Sequence, residues 1–145
     1  MGRIGGYEHG SLNTFAMDRR HSENEGGQTA VFDTLSSSSL KVAAAGLTAR
    51  QSAIADNIAN IETPGYQARK VKFEESLAHA VRTGAAPSGV TPSVQRSLEP
   101  TRLNGSNVNL DQETLSHLDT TMRYQLTLRA LDHEYGMLRD AIKGA

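Results

Sequence analysis

The amino-acid sequence predicts a mainly α-helical protein with two long helices, one in each half of the chain. Most aliphatic residues of the 145-residue chain fall into two stretches, roughly 31–81 and 108–142, and both repeat their apolar residues at helical spacing. The remaining sequence is rich in Gly, Ser, Thr, Asn and Pro, which favour turns and loops. We therefore predict a disordered N-terminal extension, residues 1–32, followed by one domain, residues 33–145.

The N-terminal extension has no apolar period, and its glycines and polar side chains bury too little surface to offset the entropy of ordering. It also lacks the apolar core of a cleavable signal peptide. Met17 is a second candidate start, so the choice between Met1 and Met17 stays open. We expect any export of the chain to use a route that reads no such signal.

The first long helix is expected at about 34–61. Its apolar face consists of side chains that recur at helical spacing: Leu40, Ala44, Leu47, Ile54, Ile58 and Ile61. Numerous alanines add helix propensity and make the helix thin. It must end before Pro64, because proline disfavours a helical conformation in the preceding residue. Residues 62–70 are then predicted as a turn, with Pro64 and Gly65 at the centre of a type II geometry.

A short structured segment, residues 71–82, is expected after the turn. Val71 and Phe73 alternate with lysines, which indicates an extended piece, and Phe73, Leu77 and Val81 have the spacing of one or two helical turns. Residues 83–107 hold several prolines and glycines with little apolar periodicity, so we predict a flexible central linker.

The second long helix is expected at about 109–143, capped by Asn109 or Asp111. Gln112 stands where the acceptor of a capping box would be. Its core-facing residues step by four and three, the spacing of a coiled-coil seam: Tyr124, Leu128, Leu131, Tyr135, Leu138 and Ile142. In the first half of the helix this face is expected to widen through four more residues: Leu115, Leu118, Met122 and Leu126.

Two interpretations of this seam remain. It is either the core face of an ordinary helical bundle or a surface that neighbouring subunits cover. The first helix offers an apolar face made largely of alanine, and two helices alone form a marginal fold. We therefore favour assembly with further copies or partners.

Composition and motifs argue against an enzyme. The chain has no cysteine, and none of its five histidines stands at metal-ligand spacing from another ligand. No nucleophile elbow, P-loop or dinucleotide-binding glycine pattern occurs. We predict no catalytic residue, no metal and no cofactor. The formal net charge of −1 without a basic block predicts no nucleic-acid partner, and the apolar stretches are too short for a membrane span.

Asn57 and Asn60 lie near the end of the first helix and allow two interpretations. Their amides either cap the local backbone or form hydrogen bonds across a subunit interface and fix the register, as a single buried Asn does in coiled coils. The sequence by itself favours local capping.

Residues 57–66, Asn-Ile-Ala-Asn-Ile-Glu-Thr-Pro-Gly-Tyr, closely resemble the signature of the flagellar rod, hook and hook-associated axial proteins, whose N-terminal helix ends in A-N-x-x-T-P-G-Y. The opening of the second helix, residues 107–113, is similar to the N-x-V-x-x-x-x-E entry of that family. The signature residues are Asn57, Ala59, Asn60, Thr63, Pro64, Gly65 and Tyr66. The packing and assembly residues are Leu40, Leu47, Ile54, Ile58, Tyr124, Leu128, Leu131, Tyr135, Leu138 and Ile142.

The resemblance implies a structural subunit of the proximal rod. The continuation Phe73-Glu74-x-x-Leu77 resembles one small rod subunit of the family, and the central linker is too short for the large β-rich domain of the distal members. The two long helices would pair as an antiparallel coiled coil. The alternatives are another small axial rod subunit and a cytoplasmic helical export chaperone or binding module.

The resemblance also implies a location and a set of partners. The chain would reach the periplasmic rod of the flagellar basal body through the flagellar type III export apparatus, without cleavage of a signal peptide. It would contact other rod proteins, the rod-base adaptor, the export gate and the membrane ring, and it would self-associate in the rod.

Overall fold

A computed structural model describes the backbone of residues 13–144 and the side-chain surroundings from residue 35 onwards. The chain divides into two compact units, Met1–Thr34 and Leu35–Ala145. The packing described below belongs to the second unit. None of the helices in the described part of the chain is both long enough and apolar enough to cross a membrane.

The described chain is mostly helical, which confirms the predicted class. Helix α1 spans Asn13–Ala59, helix α2 spans Glu74–Thr83 and helix α3 spans Leu110–Lys143. The start of α1 differs from the prediction, because residues 13–32 are helical where disorder was expected. No proline occurs before Pro64, and two glycines inside a helix cost only about 1 kcal/mol each. Residues 1–12 of the predicted extension lie outside the described residues.

The signature turn follows the end of α1. The Tyr66 N–H donates to the Thr63 carbonyl at 3.2 Å, and Gly65 has φ of 71°, as the third residue of a type II turn requires. Glycine occupies this position without the steric cost that a Cβ would bring. The turn therefore has the geometry that Pro64 and Gly65 predict.

A two-stranded antiparallel sheet occupies much of the region between the long helices. Strand β1 spans Arg69–Lys72 and pairs with strand β2, Ser93–Arg96, with Val71 opposite Val94. A short 3-10 helix, Pro87–Gly89, lies between α2 and β2. Residues 83–107, predicted as a flexible linker, therefore contain a short 3-10 helix and strand β2. All four β2 side chains are exposed, so the strand is held by backbone pairing and carries no apolar alternation that would reveal it.

The core lies where α1, β1 and α2 meet. It is built from four buried side chains, Leu47, Ala53, Val71 and Phe73. The Phe73 ring lies directly over Gly46 of α1, where a Cβ would come within 2.6 Å of the ring. This glycine lets the aromatic ring approach the helix backbone. Leu77 and Tyr124 pack at the edge of the cluster.

Helices α1 and α3 contact each other at several levels. The Lys41 ammonium lies 5.7 Å from the centre of the Tyr135 ring, and Asn57 donates to Glu113 at 3.0 Å. Later positions on α1 thus contact earlier positions on α3. At the start of α3, the Asn109 side chain accepts hydrogen bonds from two backbone N–H groups of the first turn and caps the helix.

The expected widening of the α3 seam is wrong. Leu115, Leu118, Met122 and Leu126 are 56–68% exposed. Leu115 precedes Tyr124 by nine residues, which is about two and a half helical turns, and therefore lies on the opposite side of the helix. In the first half of α3 these apolar residues lie on the exposed side, and the buried side holds the polar residues Glu113 and Thr120.

Candidate functional site

The side chain of Asn57 joins three segments of the chain at the signature turn. It is fully buried, and its Nδ2 donates to the Arg69 carbonyl at 2.9 Å and to Glu113 Oε1 at 3.0 Å. Its Oδ1 accepts from the Arg69 N–H at 2.8 Å and from the Tyr66 hydroxyl at 3.4 Å. The amide thus forms hydrogen bonds with both backbone groups of Arg69, the first residue of β1. The local-capping interpretation of Asn57 does not describe these contacts.

A second asparagine, Asn107, also binds backbone groups of distant segments through its side-chain amide. It is 5% exposed, and its Oδ1 accepts from the Ala68 N–H at 2.7 Å. Its Nδ2 donates to the carbonyls of Ser97 and Glu99 at 3.1 and 3.3 Å. The Ser97 N–H donates directly to the Ala68 carbonyl at 2.7 Å. The Asn107 amide therefore binds the two groups that this backbone bond leaves, the Ala68 N–H and the Ser97 carbonyl, at the end of the sheet. We call Asn57, Asn107 and Glu113, with the backbone they hold, the amide junction.

Two glycines with positive φ meet at the amide junction. Gly65 donates its N–H to the Asn104 carbonyl at 3.0 Å. Gly105 has φ of 81°, and a Cβ there would lie 3.3 Å from the Gly65 Cα. The Asn107 N–H in turn reaches the Tyr66 carbonyl at 3.3 Å. The signature turn is thus held against the segment that leads into α3.

Glu113 is a carboxylate placed in the buried part of the junction, with 6% of its surface exposed. Burial raises its pKa above the ordinary value, while the hydrogen bond from Asn57 and the positive charge of Lys70 oppose that rise. Nearby Glu99 accepts from Lys70 at 2.5 Å and from Gln112 at 3.1 Å. The hydrogen bond from Lys70 is the main cause that lowers the pKa of Glu99.

The other signature residues stay on the surface. Asn60 is a local cap, because its Nδ2 donates to the Asp56 carbonyl at 2.9 Å and its Oδ1 accepts from Thr63 at 3.2 Å. Ala59 and Pro64 are exposed, as is Thr63. The structure therefore gathers only Asn57, Gly65 and Tyr66 of the signature into the junction.

The residues predicted for packing and assembly fall into three groups. Leu47 and Ile54 are buried at 3% and 4% exposure. Half-buried positions are Leu40, Tyr124 and Leu131. The exposed positions are Ile58, Leu128, Tyr135, Leu138 and Ile142, with exposures from 36% to 79%.

Sequence reasoning missed several residues of the site. Asn107 and Glu113 were part of the family motif but were not selected as site residues, and Gly105 and Gly46 were not selected at all. Their signal is indirect, because the two asparagines bind backbone groups and the glycines act through the absence of a side chain. Among residues 35–144, no group of three or more His, Asp or Glu side chains is arranged to hold a metal ion.

Comparison with known proteins points to one group. A family model described as flagella basal body rod protein matches residues 40–67, the end of α1 and the signature turn. The chain is 31% identical over 102 residues to flagellar basal body rod protein FlgB of Escherichia coli K12, covering 57% of this chain and 74% of that protein. It is 33% identical over 107 residues to FlgB of Cereibacter sphaeroides, covering 66% and 84%. FlgB of Borrelia hermsii is 29% identical over 118 residues, covering 67% and 87%.

Proposed function

We infer the role of this chain from its family: the chain belongs to the FlgB family of flagellar basal body rod proteins and is a structural subunit of the rod, not an enzyme. The prediction of a rod subunit is confirmed, and the relatives do not support the alternative of an export chaperone. The relatives also indicate the flagellar basal body as its location.

We propose that α1 and α3 act as an antiparallel coiled coil whose remaining apolar surface is covered by neighbouring subunits. The observation that carries this proposal is the exposure of the α3 seam. Leu138 is 47% exposed and Ile142 is 79% exposed, although their four-and-three spacing is that of residues that pack. Contacts at Lys41 with Tyr135 and at Asn57 with Glu113 support the antiparallel direction.

The amide junction would fix the register of this coiled coil. Asn57 on α1 and Glu113 on α3 are joined by a buried hydrogen bond. A shift of either helix by one turn, about 5.4 Å, would leave both groups buried without a partner. The signature would therefore set which parts of α1 and α3 are presented to the next subunit.

We further propose the proximal rod as the place of assembly. The family leads us to expect contacts with other rod proteins, the rod-base adaptor, the export gate and the membrane ring. The family likewise leads us to expect export through the flagellar type III apparatus to the periplasm, without cleavage of a signal peptide.

The experiment starts from a strain in which the gene is deleted. The strain is complemented with the natural chain, with a Leu131→Asp and Leu138→Asp double variant, or with a matched control. The control is Leu98→Asp with Leu103→Asp, because these two leucines are exposed in the loop before α3. Motility in soft agar and electron microscopy of basal bodies from isolated membranes are the measurements.

We expect the deletion to lose the rod and hook but to keep the membrane ring. The natural chain and the loop control restore swimming, whereas the seam double variant does not, because buried carboxylates at the seam are not compensated. Export of the double variant continues, since the chain would be exported unfolded. Intact flagella in the deletion strain would refute the rod role. Normal motility of the seam variant would refute only the coiled-coil assignment.

A further inference from the structure

The outer side of α3 carries four large apolar side chains that the fold leaves uncovered. We name this set the outer stripe: Leu115, Leu118, Met122 and Leu126, exposed by 68%, 57%, 56% and 68%. Leu115, Leu118 and Met122 point away from the contact with α1, so closing the coiled coil does not bury them. Leu126 lies at the border of the stripe, where it lines a groove with Leu47 and Phe73. A contiguous apolar surface of this kind on a folded chain marks an interaction site.

We propose that the outer stripe of one copy packs against the small-residue face of α1 in the next copy. This inference rests on the proposed function as a rod subunit and adds the surfaces that meet. The small-residue face consists of exposed positions of α1 on the side away from its core contacts: Ala45, Thr48, Ser52, Ala55 and Ala59. Short side chains let a second helix approach closely, and large ones on the partner then fill the space between the axes.

The two surfaces have matching spacing. Leu115, Leu118 and Met122 advance by three and then four residues along α3. Ala45, Thr48 and Ser52 advance in the same way along α1. Steps of three and four keep a contact in line along two crossing helices. One register therefore places a large side chain opposite a small one at three successive levels.

Charged residues at the ends of the two surfaces determine whether the two helices pack parallel or antiparallel. With the helices parallel in this register, Asp111 faces Lys41, which also lies over the Tyr135 ring of its own chain, and Arg129 faces Ala59, one turn from Asp56. With the helices antiparallel, Asp111 would face Asp56, and Arg129 would lie within one turn of Lys41. Like charges brought together in a contact disfavour that arrangement. The charge pattern therefore favours parallel packing between copies.

This contact joins two different surfaces, so it is heterologous. Each copy offers its outer stripe to one neighbour and its small-residue face to another, and the contact repeats in a row without closing a two-fold dimer. Four side chains supply less than the area of about 800 Å² per partner that stable pairs bury. Isolated copies are therefore expected to stay apart, with the contact forming where the rod holds copies side by side.

Cysteine cross-linking in assembled rods tests the proposal. The chain has no cysteine, so a Leu118→Cys and Thr48→Cys double variant introduces the only two thiols. Basal bodies are isolated from the complemented deletion strain, oxidised and separated without reductant. We expect a ladder of dimers and larger multimers that each single variant lacks. The matched control is Leu115→Cys with Ser52→Cys, which pairs only if the helices are antiparallel, because Leu115 faces Ala45 when they are parallel.

The control discriminates because a disulfide needs Cα atoms within about 7 Å, and Ser52 lies seven residues, or about 10.5 Å, from the parallel partner Ala45. Dimers from Leu118→Cys alone, a ladder from the Ser52 control, or a cross-link to a different rod protein would each overturn the proposal. So would the absence of a ladder in a strain that swims, and that result leaves the rod role untouched.

A charge exchange keeps the proposal open to refutation if the cysteine variant does not assemble. We expect Asp111→Lys and Lys41→Asp each to reduce the swimming-ring diameter, and the double exchange to restore most of it. If the double variant swims no better than the worse single variant, the pairing of these surfaces is wrong.

Discussion

Replacing Asn57 with Asp exchanges the side-chain NH2 group at the centre of the amide junction for an oxygen. The side chain keeps its shape and its acceptor oxygen, so the Arg69 N–H at 2.8 Å is still satisfied. It loses the amide N–H groups that donate to the Arg69 carbonyl and to Glu113. The new carboxylate then lies about 3.0 Å from the Glu113 carboxylate in a buried site. Two buried like charges at this distance favour protonation of one of them.

The cost at neutral pH has two parts. A buried carbonyl left without a donor costs about 1–3 kcal/mol. Protonating Glu113, whose ordinary pKa is 4.5, costs at most about 3.4 kcal/mol at pH 7, since each pKa unit corresponds to about 1.36 kcal/mol. The proton then bridges the two carboxyl groups. We expect a total loss of about 4–6 kcal/mol, close to the whole stability of a small domain.

The pH dependence distinguishes this mechanism from a simple loss of packing. Between pH 4.5 and pH 7 the folded variant binds one more proton than its unfolded state, so its stability falls as pH rises. Relative to the natural chain, the destabilisation should shrink by at most about 2.7 kcal/mol from pH 7 to pH 5. Adding Glu113→Gln should recover much of the loss at pH 7, because the glutamine amide can donate to the new carboxylate.

The measurement is urea unfolding of the full chain, followed by circular dichroism at 222 nm at pH 5 and pH 7. Asn60→Asp is the matched control, because Asn60 follows Asn57 by three residues but forms only local hydrogen bonds. It should cost only a few tenths of a kcal/mol, the effect of a negative charge near a helix C-terminus. A loss below about 1 kcal/mol for Asn57→Asp at pH 7, or a loss that does not shrink at pH 5, would refute the reasoning.

Three further predictions follow from the structure. Gly46→Ala should destabilise the chain by about 1–2 kcal/mol in the same urea assay, because the overlap with the Phe73 ring outweighs the gain in helix propensity. Lys70→Met should raise the pKa of Glu99 in an NMR titration, because the hydrogen-bonded ammonium that lowers it is removed. Gly105→Ala should cost about 1–2 kcal/mol, because a side chain is strained at φ of 81°.

Matched variants separate these effects from general loss of glycine or charge. Gly136→Ala lies in α3 with no atom within 4 Å of its added Cβ, so it should stabilise by about 0.5–1 kcal/mol. Gly89→Ala has open space and no positive φ, and should be nearly neutral. Lys72→Met removes a charge of β1 that forms no ion pair within the described residues, and should leave the pKa of Glu99 unchanged. Equal effects within any pair would contradict the structural reason given for it.

The helix ends and the signature turn could be predicted from the sequence. The end of α1, the turn at Pro64 and Gly65, and the span of α3 all follow from local rules of helix termination and capping. Strand β2 could not be predicted, because its bonds join backbone groups and all its side chains are exposed. Helix α1 begins before its predicted start because polar residues without proline permit helix even where they do not favour it.

The candidate site was harder to predict for a related reason. The family motif identified Asn57, but its contacts are made to backbone groups of Arg69 and to Glu113, which no local pattern connects to it. Asn107 likewise binds backbone atoms of Ala68 and Ser97. On α3, a helical period alone merges the exposed apolar residues of the first half with the seam of the second half. Only the position of α1 shows that the two sets lie on opposite sides of the helix.

The amide junction also has a consequence for the order of folding. The hydrogen bond between Ala68 and Asn107 closes a sequence separation of 39 residues, and that between Asn57 and Glu113 closes one of 56. Such distant pairings are slow to form, because the entropy of loop closure is lost before the contacts compensate for it. When the chain emerges with its N-terminus first, α1 can form early. The Asn57 amide and the Ala68 N–H then lack their hydrogen-bond partners Glu113 and Asn107 until the start of α3 has emerged. The last part of the chain to appear is thus what completes the structure begun by the first.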